Sequence, residues 1–548
     1  MSQRSDVAAS SEPARWLIGS LAIVIACFAI YAPSLGGSFI WDDDTHLLDN
    51  PVFEDDGLYK VWLTPPQKIN YWPMTFTTYW LEYQIWEFDP LGYRVVNLLL
   101  HALCAIAMWA LLRALRVPFP WFIAFVFAIH PVNVESVAWI AQRKTILSLL
   151  FFLIAWLFYL RFEAERKAAL YFVSLVCFLA AMLSKGAAAP FPAILLLMAW
   201  WQRNTISARD VGLSIPFFLI TGMTGLLELS TQVLVADDFV VRDDDFVTRL
   251  AGAGWVLCFY LSKIVLPVGL SFVYPRWEID ASTPITWIPL VAVFAVVAAS
   301  WWWRSGWGRP ALVALLYYIL MLSPVLGFID IYYMRYSFVA DHYQYLAMPA
   351  ILALVIGGLG SRLRRSANVP RALPLALATF VMLAFGWTSA GLSSSYRSAE
   401  VLWRDTLAKN PDAFLAHYNL AHQLQSEVRL DEAEIHYREA LRIQPANAQA
   451  ANNLGKVYQD QGRDALAIAS YRRAMSLEAD YLDPENNLAI LLQKQGDLAG
   501  ARAHFEVALR IAPDSAVVHF NYAGLLAAMG HRDRSITHYR RAVTLDPE

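Results

Sequence analysis

At twelve places this chain runs apolar for close to the roughly 20 residues that a helix needs to cross a hydrocarbon core about 30 Å thick. These stretches are 16–35, 93–115, 119–138, 145–162, 168–184, 187–201, 211–229, 250–268, 285–303, 308–326, 343–360 and 371–392. No other feature restricts the fold as much. Inside a bilayer every backbone N–H and C=O must find a partner within the protein, so runs of this length become helices packed side by side. The composition agrees: 57% of the 548 residues are hydrophobic and only 16% are charged, which is not the balance of a soluble domain. The expected class is all-α, beginning with a polytopic membrane helix bundle. A net charge of −3 gives no electrostatic footprint for nucleic acid. Cys27, Cys104, Cys177 and Cys258 lie far apart inside apolar stretches and read as small buried side chains, without metal or disulfide spacing.

Orientation follows from the short basic loops, which stay on the cytoplasmic side. "RALRVPFP", "RFEAERK", "WQRNTISARD", "WRSGWGR" and "SRLRRSANVPR" are these loops. They put the N-terminus inside and the segment 36–92 outside. Twelve crossings would separate the last two basic loops. Eleven keep both inside, with 250–268, which carries Lys263, lying outside as a re-entrant or surface helix. The first apolar run passes into "YAPSLGG" without a small-residue cleavage site, so it is expected to remain as the first span.

From residue 394 the pattern changes to a fixed period. Pro411 and Pro445 are 34 residues apart, Pro513 lies 68 further on and Pro547 another 34 beyond. Small residues recur at Ala421, Gly455, Ala489 and Ala523, and aromatic ones at Tyr437, Tyr471, Phe505 and Tyr539. A 34-residue period with small and aromatic residues at these offsets is the tetratricopeptide helix–turn–helix signature. The expected domains are a membrane bundle over 1–393 and a tetratricopeptide α-solenoid over 394–548. The solenoid begins with a half-unit, 394–411, followed by repeats 412–445, 446–479, 480–513 and 514–547. Asn419, Asn453, Asn487 and Asn521 repeat in register. Turned into the groove, such a row would clamp the backbone of an extended peptide through its amides; the alternative is that asparagine merely suits this helix position.

The outer face carries the candidate chemistry. Asp42, Asp43 and Asp44 follow the first span almost at once, in "GGSFIWDDDTHLLDNP". A carboxylate at that boundary can serve as general base toward a hydroxyl; the bland alternative is a solvated acidic turn. Arg143, Lys144, Lys185, Arg335 and His342 fall on the same side, against the usual exclusion of cations there, and charged groups at membrane depth are functional candidates. Base and cations at one interface suit transfer from a lipid phosphate, with the cations receiving the leaving group. Glu135 and His130, near the outer end of the third span, are candidates for support or acceptor binding. His101 reads as a hydrogen-bonding residue between helices. The acidic run 236–246 reads as a solvated loop.

"FIWDDDTHLLDN", "DPLGYRVVNLLLHAL", "HPVNVESVAWIAQRKTILSLLFFL", "LSKGAAAPFPAILLL" and "DHYQYL", followed by the repeats, resemble the transmembrane-and-tetratricopeptide O-mannosyltransferases, a group of type C glycosyltransferases with bacterial relatives. The resemblance implies an enzyme that takes a sugar, a hexose such as mannose, from a polyprenyl-phosphate donor with inversion. It implies no metal and places the base in the Asp42–Asp43 pair. The acceptor would be a protein or peptide bound through the repeats. A bacterial inner membrane with a periplasmic repeat domain would be the setting. Two positions depart from the family pattern: Gly186 stands where a carboxylate is usual, and His342 where arginine is usual. A phosphate neighbour would raise the His342 pKa. Two other functions fit the sequence: a non-catalytic membrane-anchored scaffold for envelope assembly, and a lipid-to-lipid glycan transferase.

Overall fold

A computed structural model describes residues 2–53, 56–63, 71–236, 242–366, 370 and 372–546. Pro547 and residues 237–241 of the acidic run lie outside the described residues. No strand occurs among the described residues, and the chain forms two compact units, Met1–Asp405 and Thr406–Glu548.

The first unit is built from helices α1 (Ser2–Leu35), α2 (Gly57–Leu63), α3 (Pro73–Trp86), α4 (Pro90–Ala114), α5 (Pro120–Ala128), α6 (Val134–Ala138), α7 (Arg143–Glu165), α8 (Ala168–Ser184), α9 (Phe191–Arg203), α10 (Ala208–Ala236), α11 (Phe246–Val265), α12 (Ile288–Trp302), α13 (Gly308–Leu322), α14 (Met348–Arg365) and α15 (Ala372–Ser395). Seven described segments are long and apolar enough to cross a membrane: Pro13–Leu35, Pro90–Ala114, Ile140–Glu165, Ala208–Glu228, Pro284–Trp302, Gly308–Val325 and Ala372–Ser395. The pair Pro120–Ala128 and Pro131–Ala138, bent by 50°, makes an eighth if it counts as one broken span. Eleven spans were expected. The difference lies in three short or charged elements: α8 has 17 residues, α9 has 13, and α14 ends in Arg362, Arg364 and Arg365; α11, which carries Arg249 and Lys263, was not counted among the eleven.

The bend has a local cause and a consequence. Pro131 lacks an N–H, and the His130 ring accepts from Val132 N at 3.3 Å, ending the helix there. The next residues fold as short turns, all buried: 131–133, α6 and 140–142. Irregular backbone at membrane depth is tolerated where protein encloses it. Here it carries Glu135, Arg143 and Lys144 into the interior.

The second unit pairs α17 (Phe414–Ser426) with α18 (Leu430–Ile443), α19 (Ala448–Asp460) with α20 (Asp464–Leu477), α21 (Leu482–Lys494) with α22 (Leu498–Ile511), and α23 (Ala516–Ala528) with α24 (Arg532–Leu545). The preceding helix, α16 (Ala399–Lys409), spans the division between the units. Its Trp403 packs on Phe272 and Trp41 at ring separations of 5.5 and 6.1 Å, which ties the start of α16 to the membrane unit. In the repeats the aromatic position packs on the small one: a Cβ built on Gly455 would strike the Tyr471 ring.

Three of the four turns inside the repeats hold glycine in the left-handed region: Gly462 (φ 73°), Gly496 (φ 85°) and Gly530 (φ 81°). The first has Val428 at φ 61°. A side chain there costs about 1–2 kcal/mol, and more when β-branched. Val428 is 76% exposed, so little contact offsets the strain. Val428→Gly is expected to stabilise this turn by about 1 kcal/mol, net of the greater chain entropy of glycine. Hydrogen exchange of α17 and α18 amides is the check, with protection rising about fivefold.

Candidate functional site

Trp41 turns the chain sharply at φ 46°, a conformation that its ring holds by stacking on Trp139 (5.4 Å) and packing edge-on to Phe272 (5.6 Å). Beyond it, a short π-helical turn runs from Asp44 to Leu48. The three aspartates therefore point to three environments. Asp44 is exposed. Asp43 is 0% exposed, and its carboxylate accepts from Ile40 N at 3.0 Å and from Ala141 N at 2.7 Å. Burial pushes its pKa up to about 7, against the pull of those two N–H groups and of Arg94. Asp42 is half-buried, its carboxyl raised by burial and drawn down by the Lys144 charge.

Lys144 extends over the Trp72 ring, 4.2 Å from its centroid, and lies 3.4 Å from His46 Nε2. His46 Nδ1 is 2.6 Å from the Asp42 carbonyl, so it donates there and leaves Nε2 to face the ammonium. Burial, then the Lys144 charge, lowers its pKa to about 3. The imidazole thus stays neutral and links the Asp42 backbone to the Lys144 ammonium. Lys185 donates to Thr145 Oγ1 at 2.9 Å and lies over Tyr343 at 5.9 Å. Burial and Lys144 lower its pKa to about 7, while Glu228 and Glu135 oppose the fall. Trp72 Nε1 donates to Glu228 Oε1 at 3.4 Å. His46, Trp72 and Glu228 were not foreseen as site residues. Yet Glu228 had a visible signal, as a lone carboxylate inside the apolar stretch 211–229.

His342 joins from the loop before α14. Its Nδ1 donates to Glu135 Oε1 at 2.7 Å and its backbone N to Glu135 Oε2 at 3.3 Å. Burial and the charges of Lys185 and Lys144 drive its pKa well below the usual histidine value. These surroundings favour the neutral imidazole, whose Nδ1 is spent on Glu135. Asp341 beside it accepts from Tyr274 Oη at 3.0 Å. Arg335 ends the 3₁₀ turn Tyr332–Arg335 earlier in this loop and lies over the Tyr336 ring, 6.0 Å from its centroid.

Two expected site residues serve elsewhere. Arg143 is fully buried; it pairs with Glu82, donates from Nε to Asn97 Oδ1 at 2.7 Å and from Nη2 to the Tyr93 carbonyl at 2.6 Å, and lies 4.8 Å from the Tyr79 ring centroid. With its three nitrogens engaged it is a strut between α3, α4 and α7, not an open phosphate ligand. His130 donates from Nε2 to the Ile264 carbonyl at 3.0 Å while capping the bend, so it fastens helices and does not open to an acceptor. His101, with Tyr345 Oη at 2.6 Å and the Ala128 carbonyl at 3.0 Å, also links elements.

In the second unit the repeated asparagines bond mostly between repeats. Asn453 Nδ2 donates to Tyr418 Oη (3.1 Å), Asn487 Nδ2 to Asn452 Oδ1 (3.1 Å) and Asn521 Nδ2 to Asn486 Oδ1 (3.0 Å). Asn419 Nδ2 donates to the Leu415 carbonyl in its own helix at 2.8 Å. The ladder is a register device, and those amide N–H groups are engaged within the protein. Among the described residues no three or more His, Cys, Asp or Glu side chains gather to hold a metal ion.

Tetratricopeptide repeat family profiles match residues 393–448, 448–481 and 492–548. The chain is similar to Protein O-mannosyl-transferase F38B6.6 of Caenorhabditis elegans, 26% identical over 302 residues covering 50% of this chain and 43% of that protein. It is similar to Protein O-mannosyl-transferase TMTC4 of Homo sapiens, 24% identical over 486 residues covering 75% of this chain and 64% of that protein. It therefore spans less than two thirds of either relative. The solved crystal structure of MamA is 17% identical and covers 27% of this chain and 87% of that one, with a TM-score of 0.26. The match to TMTC4 covers more of the chain than either compact unit holds. It thus reaches beyond either unit, and the chain is similar to the TMTC-named protein O-mannosyl-transferases.

Proposed function

We propose that this protein is a membrane glycosyltransferase that moves a hexosyl group, mannosyl by its likeness to the O-mannosyl-transferases, from a polyprenyl phosphate to a protein hydroxyl at the extracytoplasmic surface. The observation that carries this reading is the gathering of one half-buried carboxylate, Asp42, with Lys144 and Lys185 beside the outer loop. The acceptor oxygen attacks the anomeric carbon and the carbon–oxygen bond to the phosphate breaks, its electron pair leaving with the phosphate. The hydroxyl proton passes to the Asp42 carboxylate, and the configuration inverts. Lys144 and Lys185 receive the negative charge that develops on the leaving phosphate, and Arg335 meets it from the loop before α14. Asp43 holds the loop that carries Asp42, and Glu135 fixes His342. The N-terminus is cytoplasmic, the tetratricopeptide unit is periplasmic in a bacterial inner membrane, and its repeats bind the protein acceptor.

The test is transfer of radiolabelled hexose from a polyprenyl-phosphate donor to periplasmic protein by the purified full chain. Label in protein supports the reading; no label with any hexose donor, from a folded preparation, removes it. The pH profile is a second check. The base must be ionised, so kcat/KM falls as pH drops through the raised Asp42 pKa. Lys185 must be charged, so kcat/KM also falls as pH rises through about 7. A bell is expected, with its alkaline limb moved to higher pH in Lys185→Arg.

A further inference from the structure

Gly186 follows Lys185 directly in the turn between α8 and α9. The space beside its Cα is filled from another helix: a Cβ built there would fall within van der Waals contact of Glu228 Oε2. The Glu228 carboxylate accepts from the Gly186 N–H and from Trp72 Nε1, the same indole on which Lys144 rests. Its charge acts on both Lys185 and Lys144. It reaches this point from α10, more than forty residues along the chain.

From this geometry we infer that Glu228 is the positioning residue that keeps Lys185 and Lys144 together as a charged pair, and that residue 186 is glycine because this carboxylate occupies the place of its side chain. The carboxylate missing from the "SKG" turn is thus supplied in space by α10. Two ammonium groups in one recess repel each other, and a shared carboxylate between them offsets part of that repulsion. The groups facing Lys185 are Lys144 from α7, Glu135 from α6, Glu228 from α10 and His342 from the loop before α14, with Thr145 and Tyr343 as neutral neighbours. The role of the pair in holding a leaving phosphate rests on the function proposed above; the charge coupling does not.

The test reads Lys185 directly. The detergent-purified full chain is pulsed with acetic anhydride between pH 5 and 10, and acetylation of Lys185 is followed by mass spectrometry. In Glu228→Gln, Lys185 is expected to titrate about one unit lower. Gly186→Ala, which displaces the carboxylate without removing it, shifts Lys185 in the same direction. Gly186→Asp combined with Glu228→Ala moves the carboxylate to the turn and restores most of the wild-type titration. An unmoved Lys185 in folded Glu228→Gln overturns the inference, as does failure of the relocated carboxylate to restore it. Transfer is measured on the same proteins and drops about fivefold at pH 7 in Glu228→Gln, following the smaller charged share of Lys185. A shifted Lys185 in a chain that transfers no sugar, wild type included, removes the proposed reaction and leaves the charge coupling standing.

Discussion

Asp42→Asn lowers hexosyl transfer by about 10³-fold while leaving the chain folded, whereas Asp43→Asn acts chiefly on stability. The two residues are neighbours of identical chemistry, and their surroundings separate them. Asp43 spends both oxygens on backbone N–H groups, of Ile40 and of Ala141 almost a hundred residues away. An asparagine there keeps one acceptor and turns an NH2 toward the other N–H, which costs about 1–3 kcal/mol. Asp42 is half-buried beside the Lys144 charge and is placed to take a proton. Thermal unfolding in detergent, run beside the transfer assay, separates the two outcomes. Equal loss of transfer in both variants at unchanged stability would remove this division of roles, and full activity of Asp42→Asn would remove the base.

The largest expected effect on stability is at Arg143. Arg143→Met leaves Glu82 buried without its partner and is expected to cost about 3–5 kcal/mol. Glu82 is already pushed up to about 7 by burial, with Arg143 the main opposing influence. Adding Glu82→Leu removes the stranded acid and recovers most of the loss. Lys144→Met, one residue along, instead lowers transfer with a smaller change in stability. The double-mutant cycle across Arg143 and Glu82, read by thermal unfolding, gives the coupling. A coupling near zero would mean that the pair is not the strut described here.

The repeat unit was the most legible part of the chain. A fixed 34-residue period survives any uncertainty about helix ends, and its small and aromatic positions pack as their spacing implies. The membrane helices were legible as apolar runs, but their number was not: α8, α9, α11 and α14 are too short or too charged for length and hydropathy to decide. At the site, the aspartates and lysines stood out because charge is rare in such a chain. Their separate surroundings did not, because these depend on contacts remote in sequence. The left-handed turn at Trp41 decides which aspartate faces inward, and an adjacent arginine and lysine on one helix turn point to different neighbours. His342 read as a residue whose charge its neighbours would decide, and the neighbours, two ammonium groups and enclosing protein, favour the neutral ring.

Arg94 donates to the backbone carbonyls of Ser34, Ser38 and Tyr396, bringing the end of α1, the start of the loop that follows it and the residue just past α15 to one guanidinium. All three acceptors are main-chain oxygens, which every amino acid possesses. Mutational tolerance should therefore be lopsided here. Residues 34, 38 and 396 can change side chain without loosening the clasp, while position 94 accepts neither lysine, whose single nitrogen cannot reach three carbonyls, nor any neutral residue. A deep mutational scan would find an intolerant arginine whose three carbonyl partners tolerate change of their own side chains, because what it asks of them is the path of their backbone.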